Sequence, residues 1–225
     1  STVPRSARAQ VSVAAAAHRA TFGASPPGMW LAECGYCPGA EEWLANAGAG
    51  YFFVDSHALA HAAHAQHRAV RTGAGVAAFA RDPSASQQVW SRESGYPGNR
   101  AYLDFHHRVN GRRVLKVPGD APWDPAAARA RAQGHGRHFV EERERTARAG
   151  AQVLVAPYDA ELFGHWWFEG PDFLEAALRE AAQSKTLRLV TGSDHLRDFP
   201  DLERVDLPAS SWGRGGHSAV WLDPL

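Results

Sequence analysis

Two acidic residues far apart in the chain each follow an apolar stretch and are flanked by aromatic rings. Glu33 comes after the run 29–32, between Trp30 and Tyr36. Asp159 comes after the run 153–155, and the large rings that follow it are Phe163, Trp166, Trp167 and Phe168. Carboxylates perform proton transfer and nucleophilic attack at an acetal carbon, and flat rings stack on the apolar faces of pyranoses. The pattern is typical of a site that cleaves sugars.

The alternative interpretation is that these rings belong to the core and that Asp159 only caps a following helix. Buried elements are periodic, however, and four large rings between residues 163 and 168 fit neither one helix face nor one strand face. A second acid among rings, at Glu33, adds to the functional interpretation.

Composition restricts the kinds of partner. The chain has 225 residues, 44% of them hydrophobic, which is enough for one globular domain with a sizeable core. Its 24 basic and 24 acidic residues cancel, so we expect a neutral partner and neither nucleic acid nor an anionic membrane. With no apolar run of transmembrane length, no signal segment and two cysteines, the sequence predicts a cytoplasmic protein. No cofactor and no metal are expected.

The elements that position the two acids follow an α/β rhythm. Short apolar runs predict five strands, at 29–32, 51–55, 76–81, 153–157 and 187–191. Amphipathic or capped stretches predict helices at 5–21, 39–48, 57–71, 125–150, 171–182 and 193–198. The carboxyl ends of parallel strands share one side of a sheet, so Glu33, Asp55 and Asp159 are expected there. Residues 83–124 interrupt the rhythm, and this insert contains Trp90 and Tyr96.

Five segments in order resemble the catalytic-domain motifs of glycoside hydrolase family 57, and most of all those of its 1,4-α-glucan branching enzymes. These segments are Met-Trp-Leu-Ala-Glu-Cys-Gly-Tyr at 29–36, Tyr-Phe-Phe-Val-Asp-Ser-His at 51–57, Val-Trp-Ser-Arg-Glu-Ser-Gly-Tyr-Pro-Gly at 89–98, Tyr-Asp-Ala-Glu-Leu-Phe-Gly-His-Trp-Trp-Phe-Glu-Gly-Pro at 158–171 and Ser-Trp-Gly-Arg-Gly-Gly-His at 211–217. The resemblance covers nearly the whole chain.

The resemblance implies a retaining reaction with Glu33 as nucleophile and Asp159 as general acid/base. The partner would be an α-glucan, and the product would contain new α-1,6 branches. Glu33 must then be ionised, and Asp159 must begin protonated. Nearby rings and a nearby negative charge raise the pKa of a carboxyl group, which is the direction that Asp159 requires. The residues expected to bind substrate are Trp30, Tyr36, Asp55, His57, Trp90, Tyr96, His165, Trp166, Trp167 and Trp212. For His165 a core position remains an equal alternative.

The resemblance also implies the fold, which is a distorted (β/α)7 TIM-type barrel. Residues 1–225 contain no His-x-His motif of the kind that family members carry on their first strand, and five strands do not close such a barrel. We therefore expect only the C-terminal part of the barrel, as one partial catalytic domain without the first strands and the later helical region. The missing remainder of the same enzyme is then a possible partner.

Other classes of function stay open. His57, His61, His64 and His67 have helical spacing and could bind a metal, although a solvated helix face is the simpler interpretation. Cys34 and Cys37 form a C-x-x-C pair of the redox type. Within the family the alternatives are a 4-α-glucanotransferase or an α-amylase. A non-catalytic glucan-binding remnant is the alternative that is not an enzyme.

Overall fold

The chain folds into two compact units. The computed structural model describes residues 4–62, 66–119, 122–216 and 218–219. Unit 1 comprises residues 1–82, 152–155 and 190–225, and unit 2 comprises residues 83–151 and 156–189. In chain order the helices are α1 (Pro4–Phe22), α2 (Ala40–Asn46), α3 (Pro83–Trp90), α4 (Pro125–Arg148), α5 (Gly170–Gln183) and α6 (Gly192–Asp198). Helices and strands are mixed, so the predicted α/β class is confirmed.

Unit 1 is built on a four-stranded sheet. Its strands are β1 (Gly28–Met29), β2 (Tyr51–Val54), β3 (Val70–Arg71) and β4 (Ala77–Ala80). The order is β1-β2-β4-β3, with β1, β2 and β4 parallel and β3 antiparallel to β4. Phe52 and Val54 of β2 are fully buried, and all four residues of β4 are buried. This burial is what small and β-branched residues in an inner parallel strand predict.

Unit 2 is built on the packing of α4 against α5. Asp124 begins α4 by accepting hydrogen bonds from the backbone N–H groups of Ala126 and Ala127, at 2.9 and 3.1 Å. A small hairpin of β5 (Arg108–Val109) and β6 (Arg112–Arg113) precedes α4. Its turn is Asn110-Gly111, and both residues have positive φ, of 49° and 76°. Asparagine followed by glycine is the pair that such a tight turn favours.

Five of the six predicted helices lie close to the observed ones, but two of the five predicted strands are wrong. Residues 153–157 have only isolated backbone bonds, such as that from Asp82 N to Val155 O at 2.7 Å. Residues 187–191 form no ladder, and Leu189 and Val190 are 59% and 40% exposed. An apolar run predicts burial, whereas a strand also needs a paired neighbour, and within the described residues these two runs have none.

Two further ranges differ from expectation. The predicted helix 57–71 is instead a 3₁₀ turn at Ser56–Leu59 followed, after residues outside the described ranges, by β3. The predicted irregular insert 83–124 contains α3 and the β5–β6 hairpin. Proline at the start of α3 supplies a residue that suits a first helical turn. Within the residues described here, no helix has the length and apolar character needed to cross a membrane.

Candidate active site

Glu33 lies four residues after the end of β1, on a backbone conformation that few residues adopt. It belongs to the 3₁₀ turn Ala32–Cys34, and both Glu33 and Cys34 have left-handed φ, of 58° and 50°. Such a conformation costs a non-glycine residue about 1–2 kcal/mol, and residues of this kind concentrate at functional sites. The turn leaves Glu33 exposed while it buries Cys34 completely. The turn therefore presents the Glu33 carboxylate to solvent, while the next residue in the chain, Cys34, is fully buried.

Trp212 holds this carboxylate. Its indole N–H donates to Oε2 of Glu33 at 2.8 Å, and its backbone N–H donates to the Glu33 carbonyl at 3.2 Å. The segment that carries Trp212 is itself fixed, because Tyr36 and Ser210 exchange backbone hydrogen bonds of 2.8 and 3.0 Å. The Glu33 side chain is therefore oriented by a residue 179 positions later in the sequence.

Aromatic rings lie beside Glu33 in unit 1. Trp30 is 40% exposed, and its ring centroid is 5.0 Å from that of Trp212 and 6.1 Å from that of Phe53. Open indole surface next to a carboxylate suits a sugar, whose apolar face stacks on the ring while its polar edge reaches the acid. Two of the predicted ligand-binding rings, Trp30 and Trp212, are thus brought together with the predicted nucleophile.

A buried charged cluster lies beneath these rings. Asp55 is fully buried, and its Oδ1 accepts from the backbone N–H of His57 at 3.1 Å and also contacts His57 Nδ1. Its other oxygen, Oδ2, pairs with Arg81. Burial alone would raise the pKa of Asp55, but the hydrogen bonds from His57 and the Arg81 charge hold that pKa below its ordinary value. Asp55 is therefore ionised and holds two partners, the His57 imidazole and the Arg81 guanidinium.

This burial corrects the expectation for Asp55. A fully buried carboxylate with both oxygens engaged does not reach a ligand, so Asp55 acts through its neighbours rather than by contact with substrate. The His57 side chain, in contrast, is 52% exposed and keeps its predicted availability. Its ring packs against Gly216, where an added Cβ would lie 2.4 Å from His57 Cγ. Only a glycine at position 216 leaves room for this imidazole.

Asp159 belongs to unit 2. It precedes the 3₁₀ turn Ala160–Leu162 with extended backbone, and its side chain makes no capping hydrogen bond. The capping role that the alternative interpretation gave to this carboxylate is therefore not what the structure shows. Tyr158 beside it donates its hydroxyl to the Ala85 carbonyl at 3.0 Å and packs edge-on against Phe163, with centroids 5.8 Å apart. Asp159 itself is half-buried.

Three predicted ligand-binding residues of unit 2 lie near one another at the surface. The ring centroids of Trp90 and Trp166 are 5.9 Å apart, and exposed His165 stacks beside Trp166 at 6.0 Å. Phe105 meets His165 edge-on at 5.2 Å. Trp90, Trp166 and Phe105 line a cleft of about 400 Å³, whose polar lining includes Arg92, Asp104 and His106. Stacking surface combined with hydrogen-bonding groups is a suitable lining for a saccharide.

Burial removes three other predicted rings from contact with a ligand. Tyr36, Tyr96 and Trp167 are only 6%, 8% and 1% exposed. Tyr36 stacks on Phe52 and donates its hydroxyl to Glu41 at 2.7 Å; burial and this neighbour raise the Tyr36 pKa. The sequence could not separate these core rings from surface rings because both kinds occur in the same dense aromatic segments.

Tyr96 and Trp167 belong to the core of unit 2. The Tyr96 ring stacks on His135 with centroids 4.6 Å apart, its hydroxyl lies 2.8 Å from His138 Nδ1, and burial raises its pKa to about 12. Trp167 packs on Phe173 with centroids 4.9 Å apart. Neither side chain is placed to bind substrate.

Sequence reasoning missed Arg81 and Phe105. Arg81 ends the apolar run 76–81, as Asp55 ends the run 51–55, and pairing of β2 with β4 brings these two strand ends together. That symmetry was a usable signal, because opposite charges at the ends of adjacent parallel strands are neighbours. Phe105 gave no comparable signal, since its position depends on the tertiary path of the loop.

The rival sites receive no support from the geometry. Among the described residues no three His, Cys, Asp or Glu side chains form a group that could hold a metal ion, while His64 lies outside those residues. Burial raises the pKa of the Cys34 thiol to about 12, helped by the charge of Asp55. Redox-active thiols have lowered pKa values, so the direction at Cys34 is the opposite of the one required.

Comparison with known proteins shows the family of the chain. Residues 3–208 match the sequence model of glycosyl hydrolase family 57. A probable 1,4-α-glucan branching enzyme of Mycobacterium tuberculosis is 41% identical over 214 residues, covering 87% of this chain and 40% of the relative. Among solved structures, a family 57-type branching enzyme from Pyrococcus horikoshii is 33% identical, with a TM-score of 0.89 over 97% of this chain and 46% of that one.

A second solved structure has a different named activity. The α-amylase AmyC of Thermotoga maritima is 35% identical, with a TM-score of 0.82 over 93% of this chain and 48% of that one. This chain thus spans less than half the length of each of these three proteins. Because the family model covers nearly all of the sequence and the similarity extends over the whole fold, the chain belongs to glycosyl hydrolase family 57.

Proposed function

We propose that this chain carries the two catalytic carboxylates of a retaining enzyme that builds α-1,6 branches on α-1,4-glucans. The observation that supports this most directly is the Glu33 carboxylate, exposed on a left-handed turn, held by the Trp212 indole N–H at 2.8 Å and lying beside the open ring of Trp30. Relatives named as branching enzymes share the family and the fold, which supports the same activity here.

In the first half-reaction Glu33 is the nucleophile. One of its carboxylate oxygens bonds to the anomeric carbon, and the glycosidic C–O bond breaks with its electron pair on the leaving oxygen. Asp159 gives its proton to that oxygen, so the shortened glucan departs as an alcohol. These two roles, a carboxylate nucleophile and a separate acid/base, are those of retaining glycosidases generally.

In the second half-reaction Asp159 is the base. It removes the proton from the 6-hydroxyl of another glucan, whose oxygen bonds to the anomeric carbon while the bond to Glu33 breaks and its carboxylate re-forms. Branching and hydrolysis differ only in whether this acceptor is a glucan or water. Open ring surface favours a glucan, because each sugar stacked on it excludes water. The rings proposed for this are the exposed Trp30 and Trp166 and the half-buried Trp90 and Trp212. His57 and His165 are proposed to hydrogen-bond sugar hydroxyls.

The sheet of unit 1 is proposed to be part of a larger (β/α)7-type barrel. The parallel order of β1, β2 and β4 and the share of the relatives' length that this chain spans support that view. The remainder of the same enzyme would then be its partner and would cover the apolar residues of segments 153–157 and 187–191.

The test is incubation with amylose followed by proton NMR. New α-1,6 anomeric signals are expected, and they should vanish in Glu33→Gln, which keeps the shape of the side chain but removes its charge. Glu42→Gln, on the exposed side of α2, is the matched control and should leave the signals unchanged. Undiminished branching by Glu33→Gln would refute the assignment of the nucleophile.

The second candidate is an α-amylase, which the similarity to the Thermotoga maritima enzyme favours. New reducing ends without α-1,6 signals, lost in Glu33→Gln, would select that activity. Glucan binding without any turnover, measured in the same samples, would instead identify a non-catalytic binding module.

A further inference from the structure

The buried pair of Asp55 and Arg81 makes a contact that the proposed reaction does not use. Asp55 is fully buried and the Arg81 side chain is 15% exposed. His57 occupies Oδ1 of Asp55, so Arg81 is held at Oδ2. Removing one member of a buried ion pair leaves the other charge uncompensated, and such pairs therefore hold their geometry. The guanidinium of Arg81 is fixed from below by an anion that no ligand can reach.

The same guanidinium lies against the ring that holds Glu33. Arg81 Cζ is 5.7 Å from the ring centroid of Trp212, within the range of a cation–π contact. A guanidinium is planar and weakly hydrated, so it packs on an indole in a way that a lysine ammonium does not reproduce. Arg81 thus restrains the Trp212 ring, while Trp30 contacts that ring with its centroid 5.0 Å away.

The Trp212 ring has one polar atom, and that atom is used. Its indole N–H donates to Oε2 of Glu33 at 2.8 Å, so any tilt of the ring moves the carboxylate or breaks the bond. Nucleophilic attack depends on the orientation of the attacking oxygen, and small displacements slow it strongly. Asp55, Arg81, Trp212 and Glu33 therefore form a continuous series of contacts within unit 1.

We infer that Arg81 is a positioning residue for Glu33: anchored by Asp55, it fixes the Trp212 ring, whose N–H fixes the attacking carboxylate. This inference rests on the proposed function, in which Glu33 is the nucleophile. In this role Arg81 affects the rate at which Glu33 forms its covalent bond to the anomeric carbon, and Arg81 does not contact the sugar.

Covalent trapping tests the inference at the step concerned. The chain is incubated with a 5-fluoro α-maltosyl fluoride, which forms a covalent glycosyl intermediate on the nucleophile that is released only slowly. Mass spectrometry follows the labelled peptide. The saturating labelling rate and the half-saturating concentration are measured for wild type, Arg81→Lys, Trp212→Phe and the double variant. Arg71→Lys is the matched control. Arg71 belongs to β3 of the same sheet, and its guanidinium donates to the Gly75 carbonyl at 2.9 Å.

Arg81→Lys should lower the saturating rate about tenfold and leave the half-saturating concentration within about twofold of wild type. Trp212→Phe, which keeps a ring but removes the N–H, should slow labelling at least as much. Because Arg81 acts through Trp212, the lysine substitution should add little in the Trp212→Phe background. Arg71→Lys should label at the wild-type rate.

Other outcomes overturn the inference at different levels. Wild-type chain that is not labelled at Glu33 refutes the proposed nucleophile and, with it, the role of Arg81. Labelling of Glu33 at equal rates in wild type and Arg81→Lys refutes the role of Arg81 alone, and so do fully additive effects in the double variant. Should Arg81→Lys fail to fold by circular dichroism, Trp212→Phe decides, since unchanged labelling there contradicts the series of contacts.

Discussion

At the scale of single residues, the two carboxylates are expected to differ in a way that chemistry can reveal. Fluoride leaves a glycosyl fluoride without help from an acid, so Asp159→Ala should still form the intermediate on Glu33 from an α-maltosyl fluoride. Azide then enters on the face that the acceptor uses and gives an α-glycosyl azide. In Glu33→Ala azide takes the place of the missing nucleophile, and the product is the β-glycosyl azide.

Proton NMR of the anomeric signal separates the two azides. Asp201→Ala, an exposed aspartate, is the control and should form no azide product. A β-azide from Asp159→Ala together with an α-azide from Glu33→Ala would show that the two roles are reversed.

At the scale of elements, the contact between α4 and α5 depends on one glycine. A Cβ on Gly136 would lie 2.7 Å from Ala176 Cβ and 2.7 Å from the Phe173 carbonyl, both on α5. Gly136→Ala should therefore force the helices apart and lower the free energy of unfolding by about 1–3 kcal/mol, as overpacking does. Urea unfolding followed by circular dichroism measures the change.

Gly134, two residues earlier on α4, is the matched control. A Cβ there would meet only the Arg137 guanidinium, at 3.9 Å. Gly134→Ala should stabilise the helix by about 0.5–1 kcal/mol, because alanine loses less backbone entropy than glycine. Equal effects of the two substitutions would contradict the close packing of α4 on α5.

At the scale of the whole molecule, a half-buried histidine should contribute to the pH dependence of stability. The Nδ1 atom of His135 in α4 lies 2.7 Å from the Tyr102 hydroxyl, and burial lowers the pKa of His135 from 6.5 to about 4. Between these values the unfolded chain binds a proton that the folded chain does not. Stability from this group is therefore complete above about pH 6.5 and is lost as the pH falls toward 4, at up to about 1.4 kcal/mol per pH unit.

The difference between wild type and His135→Gln isolates this contribution from that of other groups, such as Glu169, whose pKa burial raises. Urea unfolding at several pH values should show wild type losing stability relative to His135→Gln as the pH falls from 6.5 to 4. The same substitution at His18, whose hydrogen-bond contact with the Ala24 carbonyl is exposed to solvent, controls for the loss of an imidazole as such. A difference that does not change with pH would contradict the prediction, because it would mean that folding does not lower the pKa of His135.

The family, the α/β class and five of the six predicted helices followed from the sequence alone. Helices such as α1 and α4 were predictable because caps, proline positions and periodic apolar residues act within a few residues of each other. The identification of Glu33 and Asp159 as candidate acids likewise depended on short ordered motifs, each of which is contiguous in the sequence.

Tertiary structure decided which of the predicted residues face solvent and which are held by others. Tyr36, Tyr96, Trp167 and Asp55 proved to be buried, since burial depends on what packs over a side chain and not on its neighbours in sequence. Segments such as 187–191 have strand-like composition, but a strand exists only where another edge supplies its hydrogen bonds.

The environment of Glu33 is the clearest case of information that only the folded chain contains. Its left-handed backbone is atypical of glutamate, and its hydrogen-bond donor, Trp212, is 179 residues away. The cation behind that donor, Arg81, reaches its place through the pairing of β2 with β4. Local sequence determined that an acid and rings occur, whereas contacts between distant segments determined how that acid is oriented, because orientation is set by packing in three dimensions.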